Sequence, residues 1–158
     1  MPESNEAALR GAVEAFNDPP RREHYLDLYA SEVVLHGYPR GLAGLAGVRS
    51  FYTQLWEAFP DARLILDDVL ADGDQLAARY RLSGVQARDF YGAPGATSAT
   101  DPEGMAWLRF DNGHVVEVWQ TSGTLDTILR LAARASEAPR RSASAEAAAL
   151  RWEESHEE

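Results

Sequence analysis

The stretch HVVEVWQTSGTL, residues 114–125, alternates like the last strand of a sheet running into a helix. Alternation sends one side chain in two along it to the interior, and Gln120 stands on one of the two candidate faces. A carboxylate at that place moves protons; an amide does not titrate near neutral pH and so cannot be a general base. A buried Gln has a carbonyl and two N–H donors to satisfy. Two readings of it stand: an amide bonded locally to a Tyr, an Arg or the backbone, or one that orients or polarises a substrate carbonyl. His36, in VVLHG, is the candidate base, with an ordinary pKa of about 6.5. Its plain alternative is a strand-end His bonded to the adjacent loop. His24, His114 and His156 fall on a helix, a turn and the tail, and no two have metal-ligand spacing, so no metal site is expected. Asp61, Asp67, Asp68, Asp72 and Asp74 cluster at turns and strand ends, where solvated structural roles are the rule.

Bulk composition narrows the partners. The chain has 158 residues, the size of one domain with a single core, and is 45% hydrophobic and 9% aromatic. Its formal net charge is −10, and with no Lys every fixed positive side chain is an Arg. That argues against nucleic acid, where clustered cations release counterions from phosphates. With no Cys, disulfides and thiolate chemistry are excluded. The opening MPESNEAALRG has no apolar signal-type run, and no apolar stretch approaches the roughly 20 residues of a membrane span. A cytoplasmic protein without membrane association is the expectation.

Elements to carry these residues follow from periodicity. SNEAALRGAVEAFN (4–17) opens on a Ser cap and carries Leu9, Val13 and Phe16 on one face. DPP (18–20) ends that helix and starts a second, to about residue 30, burying Tyr25, Leu28 and Tyr29. A strand is expected over 32–37 and a loop over 38–44. Val48, Phe51, Tyr52, Leu55, Trp56 and Phe59 make a wide helical stripe that Pro60 stops. Strands are expected over 63–70, 75–84, 104–110 and 115–121, with Asn112-Gly113 as a hairpin turn. Residues 87–103 lack periodicity and read as a long loop, a candidate lid. A helix over 124–136 closes a domain of residues 1–136, and 137–158 form a polar tail. The order gives an α+β domain: helices packed on a curved antiparallel sheet, enclosing a conical pocket suited to a small apolar molecule.

A two-residue turn at Asn112-Gly113 pairs Phe110 with Val115 and Met105 with Gln120. One face then carries Met105, Trp107, Arg109, Val116, Val118 and Gln120, and the other Ala106, Leu108, Phe110, Val115, Glu117 and Trp119. Both faces are mixed, so periodicity alone leaves the pocket side open. Phe16, Tyr29, Phe51, Tyr52, Trp56, Tyr80, Phe90, Met105 and Trp107 are first of all a core; along pocket-facing elements they also suit a flat, conjugated ligand.

FPDARL, GDQLAARYRLSG, DFYGAPGAT and GMAWLRFDNGHVVEVW, in that order, resemble the SnoaL-like polyketide cyclases of the nuclear-transport-factor-2-like α+β barrel superfamily, over about residues 6–132. The resemblance implies large, mostly apolar polyketide substrates, no metal or organic cofactor, and a homodimer. In family members that close rings by aldol chemistry an Asp on the last strand is the acid/base, and the matching position is Gln120. A second position, often His in the family, matches Gln86, and His36 matches a family His near the pocket. The resemblance turns the Gln120 face inward, leaving Glu117 and Trp119 outside, in reach of a dimer contact.

Expected site residues are therefore Gln120, His36 and Gln86 for chemistry, with Phe16, Tyr29, Tyr52, Trp56, Tyr80, Phe90, Met105, Trp107, Arg109 and Val118 binding substrate. Neutral amides ill suit aldol proton shuttling but suit holding a flexible apolar chain in a reactive fold. Orientation alone is worth effective molarities up to about 10⁵–10⁸ M in the best intramolecular cases. The expectation is a cofactor-free polyketide cyclase acting by templating, a [4+2] cycloaddition being one such closure. The alternatives are an epoxide hydrolase or isomerase of the same fold, with Arg109 as the Arg of an Asp-Arg-Asp set, and a non-catalytic binding protein.

Overall fold

Ser4 starts the first helix as a side-chain cap, its Oγ accepting the N–H of Ala7 at 3.1 Å. Helix α1 runs Asn5–Phe16 with Leu9, Val13 and Phe16 buried. The structure, a computed structural model, describes residues 4–91, 99–100 and 103–122. The expected helix over 124–136, the tail from 137 and most of the 87–103 loop lie outside these residues.

Asn17 fastens the end of α1 to the sheet. Its Nδ2 donates to the carbonyl of Leu64 at 2.8 Å and its Oδ1 accepts the Leu64 N–H at 2.7 Å, imitating a rung of a strand ladder. Pro19 and Pro20 then open a 3₁₀ helix, Pro19–Leu28, where a helix to about residue 30 was expected. Its tighter winding turns Tyr25, Leu26 and Leu28 inward. Tyr29 and Ala30, assigned to that helix by pattern, instead begin strand β1, Tyr29–His36. Helix α2, Gly44–Ala58, buries Val48, Phe51, Tyr52, Leu55 and Trp56, and ends one residue before the Phe59-Pro60 pair.

The remaining strands are β2 (Arg63–Asp72), β3 (Gln75–Val85), β4 (Ala99–Thr100), β5 (Glu103–Asp111) and β6 (His114–Ser122). Their order is β1-β6-β5-β3-β2, with the short β4 paired to β3 inside the expected loop. Among the described strands only β1 and β6 pair in parallel; the other pairings are antiparallel. β1 and β2 stay unjoined at the two edges, so the sheet curves without closing. Irregular register in β2 near Asp67, between β5 and β6, and along β1 supplies the bends. The helices fill the concave side, and the core is continuous from Leu9, Val13 and Phe16 through α2 to Leu76, Leu108, Val115 and Val118.

The Asn112-Gly113 turn forms as expected, with φ of +51° and +79°, the left-handed pair of a tight hairpin. The ladder above it does not continue as expected. Phe110 pairs with Val115, but Arg109 pairs with Glu117, leaving Val116 as the extra residue of a bulge. Beyond the bulge Gln120 stands opposite Ala106 rather than Met105. One residue of slip exchanges the two faces of β5.

Candidate functional site

Between the concave side of the sheet and the helices lies a cavity of about 70 Å³. Its wall is built from Phe16 of α1, Phe51, Tyr52 and Leu55 of α2, Leu64 and Leu66 of β2, Ala78 and Tyr80 of β3, Ala106 and Leu108 of β5, and Val118 of β6. Phe90 closes one side, edge-on to Phe51 and Phe59. The volume is below the roughly 300–1,000 Å³ of ordinary small-molecule sites, so a long guest enters only as these side chains re-pack.

The polarity of this wall comes from hydroxyls and one amide. Five of the six tyrosines line it, namely Tyr25, Tyr29, Tyr38, Tyr52 and Tyr80, together with Ser83 and Gln120. No carboxylate, imidazole or guanidinium is among the described lining residues. The Oη of Tyr25 lies 2.6 Å from that of Tyr29 and 3.2 Å from that of Tyr52. Tyr38 donates from its Oη to Gln120 Oε1 at 3.3 Å. Burial raises the pKa of Tyr25, Tyr29, Tyr38 and Tyr52, with the neighbouring hydroxyls of the cluster adding to it. All four stay phenols at neutral pH and act as hydrogen-bond donors rather than bases.

Of the residues expected for chemistry, Gln120 faces the cavity and bonds locally to Tyr38, which is one of the two readings of a buried amide. Gln86 is buried but off the cavity wall, donating through Nε2 to the carbonyl of Arg88 at 3.1 Å. His36 is on the opposite face of the sheet, a correction to its expected place near the pocket. Its Nε2 meets Glu117 Oε2 at 2.8 Å, and its ring stacks on Trp119 with centroids 5.0 Å apart.

Of the expected binding residues, Phe16, Tyr29, Tyr52, Tyr80, Phe90 and Val118 line the cavity. Trp56 is buried behind Phe16 and Tyr52 and does not reach the wall. Its Nε1 has no partner among the described residues. Met105, Trp107 and Arg109 are corrections of the same kind as His36. Met105 is 58% exposed and Trp107 49%, while Arg109 donates to Glu117 Oε1 at 3.0 Å on the outer face. The bulge at Val116 is the cause, since it turns Ala106 and Leu108 inward in their place. With Arg109 outside, and no Asp among the described lining residues, the Asp-Arg-Asp arrangement is not assembled there.

Pattern reasoning missed the polar part of the site. Periodicity buries Tyr25 on a helix face and leaves Tyr38 in a loop, and neither position carries a local signal that their hydroxyls converge. The Asp residues hold the frame instead. Asp61 Oδ1 accepts the Val85 N–H at 3.0 Å, and Asp67 binds Arg81 through both oxygens, which holds its carboxyl below the usual range.

Solved structures share this frame. IdmH of Streptomyces antibioticus, a proposed polyketide cyclase, superimposes with a TM-score of 0.66 at 24% identity, over 82% of this chain and 98% of its own. AclR of Streptomyces galilaeus, a proposed hydroxylase, gives 0.66 at 22% identity, over 80% and 94%. A SnoaL-like polyketide cyclase of Agrobacterium tumefaciens gives 0.66 at 17%, over 82% and 98%. At these identities the likeness is one of fold. No curated protein matches the sequence. The sequence profile of the SnoaL-like polyketide cyclases matches residues 7–128, from α1 through the six described strands, and so the chain belongs to the SnoaL-like polyketide cyclase family.

Proposed function

We propose that this protein closes a ring in an apolar, conjugated polyketide intermediate, without a cofactor, mainly by holding the chain in its reactive conformation. The observation that carries this reading is a cavity wall of aromatic and aliphatic side chains whose polar groups are phenols and an amide. Such a wall excludes water and selects folded conformers of a flexible guest by shape. Gln120, at the family's acid/base position, orients the substrate by hydrogen bonding instead of transferring a proton. A [4+2] cycloaddition fits these means. Two π bonds become two σ bonds, and no proton, electron or water enters or leaves.

In this reading Phe16, Tyr52, Phe90 and Val118 shape the guest, and Gln86 acts only through the loop it anchors. No helix among the described residues is long and apolar enough to cross a membrane, and a cytoplasmic role in antibiotic-type biosynthesis accords with the reading. A homodimer through the outer sheet face, where Trp107 and Trp119 are exposed, belongs to the same proposal.

The test is deletion of the gene in its native host, with extracts compared by mass spectrometry. The expected result is loss of one product and accumulation of an isomer of equal mass, which purified protein then converts. An accumulated precursor one water lighter than the product supports a hydrolase instead. Unchanged metabolites support a binding protein.

A further inference from the structure

Four elements each deliver one phenol to the same end of the cavity: Tyr25 from the 3₁₀ helix, Tyr29 from β1, Tyr38 from the following turn and Tyr52 from α2. Tyr29, Tyr25 and Tyr52 form a row of hydroxyls, Tyr25 bonding both of the others. Tyr38, on the same wall, donates from its Oη to Gln120 Oε1 at 3.3 Å. That length is well beyond the 2.7–2.8 Å typical of an O–H donor, so little is lost when the proton turns elsewhere. No described residue accepts from Gln120 Nε2, although the side chain lines the cavity.

We propose that Tyr38 and Gln120, beside the hydroxyls of Tyr25, Tyr29 and Tyr52 on the same wall, form a donor pole that takes the carbonyl oxygen of an otherwise apolar substrate. The inference rests on reading the cavity as a substrate site, and it narrows the substrate class to ketones or enones. The Tyr38 O–H leaves Gln120 Oε1 for the guest oxygen, and a Gln120 N–H joins it. No proton is transferred. The carbonyl is polarised, which makes a conjugated double bond a better partner in ring closure.

Acetophenone and ethylbenzene test this pole, since they differ mainly by a carbonyl in place of a methylene. Bound to the wild-type protein, acetophenone is expected to show a carbonyl stretch shifted below its value in alkane. Tyr38→Phe and Gln120→Leu should each weaken acetophenone binding by about two- to tenfold, one neutral hydrogen bond's share, and leave ethylbenzene unchanged. An unshifted stretch, or equal effects on both compounds, overturns the donor pole and leaves the apolar cyclase cavity standing. Failure of both compounds to bind removes the site itself, and the cyclase reading with it. The infrared measurement needs no variant, so misfolding of a variant does not blunt it.

Discussion

Tyr38 and Gln120 meet across the cavity although 82 residues separate them, and Gly37 is what brings them together. Gly37 has φ of +85°, and a Cβ there would run into the backbone carbonyl of Gln120. The chain leaving β1 therefore lies directly on β6, and the next residue, Tyr38, is delivered to the amide. Gly37→Ala is expected to destabilise the fold by about 1–3 kcal/mol from the left-handed backbone alone, before the collision is counted. Denaturant unfolding reads the loss. Acetophenone affinity should fall with it, because Tyr38 is carried away from Gln120.

The outer-face cluster gives the opposite expectation. His36→Ala removes the Glu117 contact and the Trp119 stack, neither of which touches the cavity wall. Turnover and ligand affinity should stay within about twofold, and stability should change little, because solvent screens the pair. A large loss of turnover with the fold intact would restore His36 as a catalytic base.

Glu117 also predicts a response to acid. Hydrogen bonds from His36 first, and then Arg109, hold its carboxyl below the ordinary 4.5. A carboxylate with a depressed folded pKa stabilises the protein above its unfolded value, and that contribution is lost as pH falls through the folded one. Thermal stability should therefore decline below about pH 4.5, in part through this group. Glu117→Gln should flatten that part of the decline, as a melting series across the acid range will show.

At the alkaline end the tyrosine cluster acts with the reverse logic. Burial raises Tyr25, Tyr29, Tyr38 and Tyr52 above the ordinary 10.0, so the unfolded chain gives up these protons first. Their stabilisation is whole below pH 10 and fades as pH rises above it. Tyrosinate absorbance should appear together with the loss of near-ultraviolet circular dichroism, in one cooperative step. Smooth ionisation of all six tyrosines at the ordinary pKa, with the fold retained, would contradict the buried cluster.

Leu108 tests the cavity as a packed wall. It is 4% exposed and faces the space that Val118 also borders. Leu108→Ala should cost about 2–5 kcal/mol, toward the lower end because the site already adjoins a cavity. The enlarged space should admit bulkier aryl ketones than the wild type binds, which a titration series of increasing ring size will show.

Much of the frame was legible from periodicity and punctuation. The Ser4 cap, the α2 stripe ending ahead of Pro60, and the Asn112-Gly113 turn each rest on a local rule about backbone donors or positive φ, and each stands in the structure. The order of helices and hairpins also led to an α+β domain with an apolar cavity. What misled was the second half of the last hairpin. Met105, Trp107 and Arg109 fit an inward face as well as Ala106 and Leu108 do, and nothing in the local residues announces that Val116 will bulge.

The sequence by itself determined the inventory: a cysteine-free, lysine-free, acidic chain with amides at Gln86 and Gln120 and 9% aromatic side chains. Those are properties of residue type, and no fold can alter them. Tertiary structure decided which of these residues share a space. It sent His36 and Arg109 out to Glu117 and drew Tyr25, Tyr29, Tyr38 and Tyr52 in toward Gln120. The physical reason is that strand alternation has a period of two, so one bulged residue reverses a face. Convergence of hydroxyls from four separate elements likewise depends on how the helices seat in the curved sheet, which no local pattern contains.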